Sequence, residues 1–275
     1  MVNLTIAILT YNDDTVLLPP AVQSVLEQDL PPKTEILILD NGSATPLCPH
    51  VWHPTQPVQT IRPTQEDIDR RGTGNIVGMN RCFEQAQGEW VLFLANDVRL
   101  HRYCLDRLLD AIRHPDGDVA MVQPLLVDAS GRLDHVGMNW VWPGYGLRRR
   151  KASLDPVLTR VPVIPATCFL MRRDFWQALG GFDESLGLSH EDVDFCLRLD
   201  RLVLQRCMYV RHDATATHLG GATIAAVEYW GRQQALSRKY HEARVKVLRK
   251  HYRGLDYWTR RLAVEVLDRG KALMS

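Results

Sequence analysis

The chain has 275 residues, of which 45% are hydrophobic and 24% are charged, as is ordinary for a folded water-soluble protein. No apolar run reaches the roughly 20 residues of a membrane-spanning helix, the N-terminus lacks the basic start of a signal peptide, and the six cysteines form no CxxC pair. Composition therefore argues against a transmembrane protein, a disulfide scaffold and a cysteine-based zinc site, and it predicts a cytoplasmic protein with a large core.

The formal net charge of +1 is unevenly distributed. Between Arg232 and Lys271 there are 12 Lys and Arg against 4 Asp and Glu, a net charge of +8, which leaves −7 for the remainder. A basic segment on an acidic body predicts a polyanionic partner or an anionic membrane surface, held by electrostatic attraction and not by insertion. A solvated helical face would give the same composition. Nucleic acid is not expected as the partner, because no recognised binding motif accompanies the charge.

The first half of the chain predicts strands that alternate with helices. Apolar, β-branched runs predict strands at residues 3–10, 35–39, 58–61, 90–95 and 119–122. Helical patterns fall between them at residues 19–28, 76–87 and 102–113. This alternation implies an α/β fold with an open, mostly parallel, doubly wound sheet of the Rossmann-like type and helices on both faces.

The second half departs from this alternation. Residues 131–154 include Trp140 and Trp142, in an aromatic segment that predicts either hydrophobic packing or a pocket for a sugar ring. Further strands are expected at residues 161–171 and 207–210.

From about residue 225 the chain predicts two helices divided near Gly254. We therefore expect a main domain at residues 1–222 and a basic helical C-terminal extension at residues 223–275, packed on or beside the main domain.

A helix that follows a Gly-rich loop carries two adjacent carboxylates, Glu191 and Asp192, in its first turn. A buried face is predicted from the apolar residues at helical spacing, which are Val193, Cys196, Leu199, Leu202 and Val203. The opposite, polar face is predicted to hold Asp194, Arg198, Arg201 and Gln205. A fixed carboxylate that faces a cleft suits a general base. Ser189 and Asp192 also fit a capping box, so helix capping is the alternative interpretation.

Three polar signals follow predicted strands: Tyr11-Asn12, Asp40 and Asp97. Each one alone is typical of a turn. Open parallel sheets bind ligands beyond the carboxyl ends of their strands, so their joint position favours a ligand site at one edge of the sheet.

Five motifs in this order resemble the family-2 type of inverting glycosyltransferases with a GT-A fold. They are Thr10-Tyr11-Asn12, Asp40-Asn41-Gly42-Ser43, Gly78-Met79-Asn80 followed by Gly88-Glu89-Trp90 continuing to Ala95-Asn96-Asp97-Val98, Gly180-Gly181-Phe182-Asp183-Glu184, and His190-Glu191-Asp192-Val193-Asp194. Within that family the chain is most similar to rhamnosyltransferase-like members of bacterial polysaccharide pathways. The resemblance covers roughly residues 3–220, and Lys250-His251-Tyr252 resembles the tail of those proteins.

The resemblance implies roles for individual residues. The catalytic base would be Asp192, with Glu191 as its neighbour. The donor nucleotide would be bound by Thr10, Tyr11, Asn12, Asp40, Asn80 and Asn96. Asp97 and His218 would hold a divalent cation, Mg²⁺ or Mn²⁺, although Ala95 replaces the acidic or amide residue with which the metal motif often begins. Trp140, Trp142 and His190 are candidates for the acceptor site.

The function implied is transfer of a sugar from a UDP- or dTDP-sugar to a hydroxyl group of a saccharide or lipid-linked acceptor, with inversion, at the inner face of a membrane. Rhamnose is the first candidate sugar. The alternatives are a nucleotide-sugar-binding protein without turnover and a sugar nucleotidyltransferase. Release of nucleoside diphosphate, of pyrophosphate or of neither would discriminate among the three.

Overall fold

The computed structural model describes residues 3–12, 15–47, 58–113, 119–147, 157–202, 207–219 and 230–272. The strands are β1 Leu4–Thr10, β2 Glu35–Asp40, β3 Val58–Ile61, β4 Trp90–Ala95, β5 Val98–Leu100, β6 Met121–Val127, β7 Leu133–His135, β8 Met138–Val141, β9 Gly144–Leu147, β10 Leu158–Arg160, β11 Cys168–Arg172 and β12 Met208–His218. The α-helices are α1 Leu18–Leu26, α2 Gln65–Arg71, α3 Asn75–Gln85, α4 Cys104–Ala111, α5 Arg173–Leu179, α6 Glu191–Leu202, α7 Trp230–His251 and α8 Gly254–Ala272.

Ten strands form one open, mixed sheet whose main order is β10-β12-β6-β11-β4-β1-β2-β3. Strands β4, β1, β2 and β3 are parallel, as the alternation in the sequence predicted. Strand β11 runs antiparallel between β4 and β6, and β12 runs parallel to β6. The predicted open α/β sheet is therefore confirmed, and the antiparallel insertion of β11 is a feature that the sequence pattern did not indicate.

Two apolar layers lie on opposite faces of this sheet. Ile6 and Ile8 of β1 belong to one layer, whereas Ala7 and Leu9 belong to the other. Side chains alternate across a strand, so a strand that is apolar at every position is covered on both faces. One layer contains the stacked ring pair Phe93 and Phe169, whose centroids are 5.3 Å apart.

Several predicted boundaries in the second half were wrong. The strand expected at residues 161–171 is confined to Cys168–Arg172, and the one expected at 207–210 extends to His218. Strand β12 continues because it pairs with β6, β10 and β5 in succession, and tertiary pairing overrides local propensity.

The predicted faces of α6 were also partly wrong. Asp194, expected on the polar face, is fully buried, whereas Leu202, expected in the core, is 49% exposed. Asp194 is buried because charged groups of α7 surround it, a contact that the pattern of α6 alone cannot reveal. Val203 and Gln205 lie outside the described residues.

The C-terminal helices α7 and α8 are divided at Gly254, as predicted. Helix α7 packs against α6 and contributes Val247 to the main core. Within the ranges that the structure describes, no helix is both long enough and apolar enough to span a bilayer.

Candidate active site

The carboxyl ends of five strands meet at one edge of the sheet. Strands β1 to β4 are parallel, and β12 shares their direction because β11 is antiparallel to both β4 and β6. Thr10, Asp40, Ala95 and His218 end four of these strands. The topology therefore places these strand ends along the edge where such sheets bind ligands.

The segment after β1 is fixed by hydrogen bonds to its neighbours. The buried hydroxyl of Thr10 lies 3.2 Å from Asn96 Nδ2, which donates to it. Asn12 has φ 52°, and its backbone N–H donates to Ser43 Oγ at 2.8 Å. Tyr11 is 43% exposed, so its ring is the part of this segment that a bound nucleotide can reach.

The carboxylate of Asp40 is buried and is already hydrogen-bonded within the protein. It accepts from the Ser43 N–H at 2.9 Å and from Arg62 at 2.6 Å. Burial alone would raise the pKa of Asp40, but these hydrogen bonds hold it below its ordinary value. Arg62, which the sequence analysis did not single out, is about one-third exposed and is the partner that a nucleotide base would have to displace.

Asn80 lies on the buried side of α3 and holds the Gly180 loop. Its Nδ2 donates to the Phe182 carbonyl and to Glu184, at 2.9 Å and 2.8 Å. Its Oδ1 accepts from the Phe182 N–H and from Trp176 Nε1. All the hydrogen-bonding positions of the amide are thus used inside the protein. This geometry gives Asn80 a structural role, and its expected contact with the donor stays a prediction.

His218 lies between two carboxylates. Its Nε2 is 3.5 Å from Asp97 Oδ2, and its Nδ1 is 3.0 Å from Asp134 Oδ2. The contact with Asp97 arises because β12 pairs antiparallel with β5, which puts His218 opposite Val98, the residue next to Asp97. Burial alone would lower the pKa of His218, but the two carboxylates raise it to about 9.

Asp97 and His218 are a fitting but incomplete set of ligands for a divalent cation. No group of three or more His, Cys, Asp and Glu side chains is placed to hold a metal in the described ranges. A carboxylate and an imidazole suit Mn²⁺ or Mg²⁺ when donor phosphates and water complete the shell. The second nitrogen of a ligating histidine usually forms a hydrogen bond with a carboxylate. Asp134 occupies this position, next to Nδ1 of His218.

The carboxylate pair stands at the start of α6, next to a strained residue. His190 has φ 65°, a left-handed conformation that turns the chain into the helix. The Ser189 hydroxyl is 2.8 Å from His190 Nδ1, and the Val193 N–H donates to Asp192 at 2.7 Å. Asp192 therefore does assist the first turn, but through Val193 and not through a capping box with Ser189.

The two adjacent carboxyl groups differ in acidity. Burial, and then the charge of Asp192, raises the pKa of Glu191 to about 8. Burial raises the pKa of Asp192 to about 6, an increase that the N–H groups of Val193 and Ala166 partly offset. Asp192 accepts from two backbone N–H groups, which favour its charged form, whereas Glu191 Oε2 is buried without a hydrogen-bond partner in the described ranges. These contacts make Asp192 the member of the pair that ionises first.

The contact with Ala166 places Asp192 at the same sheet edge as Asp97. Thr167, the next residue, accepts a hydrogen bond at its carbonyl from the Ala95 N–H at 3.0 Å. Strand β11 begins one residue later, with Cys168 opposite Leu94. One short path of backbone therefore links the carboxylate pair to the Ala95-Asn96-Asp97 segment.

The three candidate acceptor residues differ in exposure, and the side chain of one of them lies outside the described residues. Burial, and then the charge of Arg244 on α7, lowers the pKa of His190 to about 4, so His190 is neutral at ordinary pH. Trp142 is 52% exposed in the turn between β8 and β9. The backbone of Trp140 belongs to β8, but its side chain lies outside the described residues.

Sequence reasoning missed Arg62, Asp134 and Tyr240. Tyr240 belongs to α7, and burial and then the charge of Glu191 raise its pKa. Lys250 and His251 of α7 were noted only through the family resemblance. Arg62 follows a short strand and could have been suspected from its proximity to a strand end. Asp134 and Tyr240 carry no local signal, because they reach the site only through long-range packing.

The sheet order, the acidic residue beyond the central strand and the carboxylate pair at the same edge define a GT-A-type glycosyltransferase fold. The sequence pattern of glycosyl transferase family 2 matches residues 5–180, and the chain belongs to this family.

Two curated relatives extend the match. The O-antigen biosynthesis protein RfbC of Myxococcus xanthus is 26% identical in an alignment 239 residues long, which covers 81% of this chain and 18% of that protein. An N-acetylglucosaminyl-diphospho-decaprenol L-rhamnosyltransferase of Mycobacterium tuberculosis is 30% identical in an alignment 193 residues long, which covers 60% of this chain and 61% of that protein. The chain thus spans less than two thirds of the length of either relative.

Among solved structures, the mannosyltransferase PcManGT of Pyrobaculum calidifontis in complex with GDP-Man and Mn²⁺ superposes with a TM-score of 0.60. It is 18% identical, and the match covers 97% of this chain and 70% of that one. At this identity the likeness concerns the fold.

Proposed function

We propose that the protein transfers a sugar from a nucleotide-diphosphate donor to a hydroxyl group of a saccharide or lipid-linked acceptor, with inversion at the anomeric carbon. One observation carries the proposal. A buried carboxyl pair and the Asp97–His218 pair belong to the same edge of the sheet, because Asp192 contacts the Ala166 N–H and the neighbouring Thr167 carbonyl accepts from the Ala95 N–H. The names of the relatives support a bacterial polysaccharide substrate and make L-rhamnose the first donor sugar to test.

In this reaction the acceptor oxygen forms a bond to the anomeric carbon while the bond to the diphosphate breaks on the opposite face. Asp192, the more acidic carboxyl of the pair, takes the proton of the acceptor hydroxyl. Burial, and then the charge of Asp192, raises the pKa of Glu191, whose Oε2 has no hydrogen-bond partner in the described ranges, so Glu191 favours its neutral form and the negative charge facing the acceptor is that of Asp192. The nucleoside diphosphate leaves.

At the donor side, Asp97 and His218 would hold a divalent cation, Mg²⁺ or Mn²⁺, with Asp134 orienting the imidazole. A bound cation supplies charge neutralisation to the leaving diphosphate. The fit rests on the donor set, since an oxygen ligand, Asp97 Oδ2, and a nitrogen ligand, His218 Nε2, lie 3.5 Å apart at the sheet edge.

We assign the nucleotide to the strand-end pocket. The exposed ring of Tyr11 can stack on a base, and Asn12 and Asn96 lie beside it. Asp40 can bind the base only if Arg62 moves, which its partial exposure allows. Thr10 shapes the floor of this pocket through its contact with Asn96.

We assign the acceptor to the side of α6 that carries His190 and the carboxyl pair, and Trp142, exposed in the β8–β9 turn, remains a candidate to stack on a sugar ring, as does Trp140 of β8. A diphospholipid-linked N-acetylglucosamine with a short prenyl chain is the first acceptor probe, because the mycobacterial relative is named for such an acceptor. A lipid-linked acceptor would place the protein at the inner, cytoplasmic face of a membrane, where the basic C-terminal extension meets anionic headgroups.

The test is a panel of UDP-, dTDP- and GDP-sugars, each incubated with the protein and with the acceptor probe. We expect release of nucleoside diphosphate from one donor. Pyrophosphate release would instead indicate a nucleotidyltransferase, and donor binding without any release would indicate a binding protein.

Asp192→Asn tests the base. We expect transfer to fall by at least about a hundredfold while donor affinity stays within about twofold, because the substitution removes the proton acceptor and leaves the diphosphate site intact. Glu191→Gln should reduce transfer less. A near-normal kcat for Asp192→Asn would leave the residue only its local role in the first turn of α6.

A further inference from the structure

Helix α8 carries a stripe of exposed apolar side chains. Leu255 is 80% exposed, Trp258 61%, Leu262 62% and Val266 62%. Their spacing of three, four and four residues puts them on one face of a helix with 3.6 residues per turn. We name these four residues the α8 stripe.

The stripe is a feature of α8 and not of the surface in general. Twelve large hydrophobic side chains are exposed in the described ranges, and five of them belong to α8. These five are the four residues of the stripe and Leu267, which is 49% exposed. The opposite face of the helix is packed on the protein, where Val264 is fully buried and Arg260 is 8% exposed. Arg260 donates to the Pro143 carbonyl at 3.1 Å, which fixes α8 to the body of the protein.

The charges around the stripe are arranged to favour an anionic partner. The acidic residues of α8 are neutralised by pairing: Asp256 with Arg260, Glu265 with Arg261, and Asp268 with both His241 and Arg244. By contrast, Arg249 and Arg253 are exposed just before the stripe, and no carboxylate in the described part of the chain pairs with them.

An apolar stripe with a tryptophan, preceded along the chain by two exposed arginines that pair with no carboxylate in the described ranges, has the chemistry of a helix that lies in a membrane interface. Tryptophan prefers the headgroup region of a bilayer, and arginine side chains extend from an apolar face toward phosphates. The guanidinium of Arg261 lies 5.9 Å from the ring centroid of Trp258, a position compatible with both preferences.

We propose that the α8 stripe inserts into the interfacial region of a bilayer that contains anionic lipids. The basic extension therefore binds a membrane by partial apolar insertion in addition to electrostatic attraction, which differs from the purely electrostatic contact that charge alone suggested. The inference deepens the proposed placement at a membrane, but it does not depend on which sugar is transferred.

The test is flotation of the full-length protein with vesicles of phosphatidylcholine and phosphatidylglycerol, and with vesicles of phosphatidylcholine alone. We expect binding to the anionic vesicles to be weakened but not abolished when salt is raised from about 0.1 M to about 1 M, because screening removes only the electrostatic part. The double variant Leu255→Ser/Leu262→Ser should lower vesicle partitioning by at least about tenfold. Leu202→Ser, at an exposed leucine of α6, is the matched control and should float as the wild type does.

A second readout measures insertion directly. Acyl chains labelled with bromine quench nearby tryptophans, so part of the fluorescence of the wild type should be quenched on vesicles. Trp258→Phe, which keeps the stripe apolar, should lose that component.

Flotation of Leu255→Ser/Leu262→Ser at the wild-type level, or absence of quenching at Trp258, would overturn the inference. So would a dimer that forms without vesicles and dissociates on the same double substitution, since the stripe would then cover a second copy. Donor turnover in vesicle-free solution is measured in parallel. Its absence would count against the proposed chemistry and leave the vesicle results to decide the membrane contact.

Discussion

The carboxyl of Glu191 is unusual because one of its oxygens, Oε2, is buried without a hydrogen-bond partner in the described ranges. A buried, unpaired carboxyl favours its protonated form, which agrees with a pKa of about 8. At a pH above the ordinary pKa of a glutamate, the folded protein therefore keeps a proton on Glu191 that the unfolded chain has already lost.

Stability should consequently fall as pH rises through this window. The contribution of protonated Glu191 is fully present below the ordinary pKa of glutamate and is lost by about pH 8. We expect the Tm of the wild type to decrease more steeply from pH 5 to pH 8 than the Tm of Glu191→Gln, which cannot ionise. Thermal unfolding at a series of pH values measures this, with Glu66→Gln, at an exposed position of α2, as control. Parallel profiles for wild type and Glu191→Gln would contradict a raised pKa.

Asp134 offers a test of the cation site that does not need turnover. The carboxylate accepts from Nδ1 of His218 and so leaves Nε2 aimed at Asp97. We expect Asp134→Ala to weaken Mn²⁺ binding in the presence of nucleoside diphosphate by about 10–100-fold, whereas Asp134→Asn, which can still accept, should weaken it much less.

Titration calorimetry or the paramagnetic resonance of free Mn²⁺ reports these affinities. Asp128→Asn, in the turn before β7, is the control. Equal loss in Asp134→Ala and Asp134→Asn would indicate that the negative charge matters and that orientation does not. If the nucleoside diphosphate bound equally tightly with a chelator and with Mn²⁺, the proposal that Asp97 and His218 hold a metal would be wrong.

At the scale of elements, α6 is held to α7 by charges around Asp194. The carboxylate accepts from Arg198 at 2.8 Å, from Lys250 at 2.9 Å and from His251 at 2.7 Å. Burial alone would raise the pKa of Asp194, but the bonds from His251 and Lys250 lower it to about 2. Because Asp194 lies two residues after Asp192, this cluster also fixes the start of the helix that carries the base.

Asp194→Asn should destabilise the protein by about 3–5 kcal/mol, because it leaves buried positive groups without their counter-charge. The group has a lowered pKa, so its contribution is present above the ordinary pKa of an aspartate and is lost as pH falls toward 2. Denaturant unfolding at pH 7 and at pH 3 should show a smaller difference at the lower pH. Asp200→Asn, exposed on the same helix, is the control, and a loss as large there would show that the effect is not specific to the cluster.

The elements also show how far the sequence could predict the structure. Strands such as Trp90–Ala95 are apolar on both faces, and this pattern is sufficient to predict a covered parallel sheet. The pairing of β5 with β12 depends on residues more than 100 positions apart, so the contact of Asp97 with His218 was expected only from family resemblance. The burial of Asp194 depends on α7 in the same way.

At the scale of single side chains, residue type predicted chemistry better than it predicted contacts. Asn80 has a polar amide at a position that suits donor binding, yet all four of its hydrogen bonds are made to the Gly180 loop and to Trp176. Such saturation cannot be recognised without coordinates, because it depends on which backbone groups come near.

At the scale of the whole molecule, α7 and α8 have separable roles. A chain ending at residue 253 keeps the contacts of Lys250 and His251 with Asp194 but lacks α8 and its stripe. We expect that chain to fold and to lose the salt-resistant part of vesicle binding, which the α8 stripe provides, while the basic residues of α7 keep the electrostatic part. A chain ending at residue 229 also loses Val247 from the main core and should have a much lower Tm. Thermal unfolding and flotation of the two chains measure this, and equal Tm values would contradict a structural role for α7.

The antiparallel strand β11 has a consequence for the nascent chain. Strand β4 receives its second neighbour only when residues 168–172 have been synthesised, about 70 residues after β4 itself is complete. At roughly 5–20 residues per second, a ribosome leaves the edge of Trp-Val-Leu-Phe-Leu-Ala unpaired for about 4–15 seconds. An exposed apolar edge of this kind pairs readily with other chains. Translation arrested after β4 has left the ribosomal tunnel but before residues 168–172 have emerged should therefore yield aggregating fragments, and a pause placed after those residues have emerged should not.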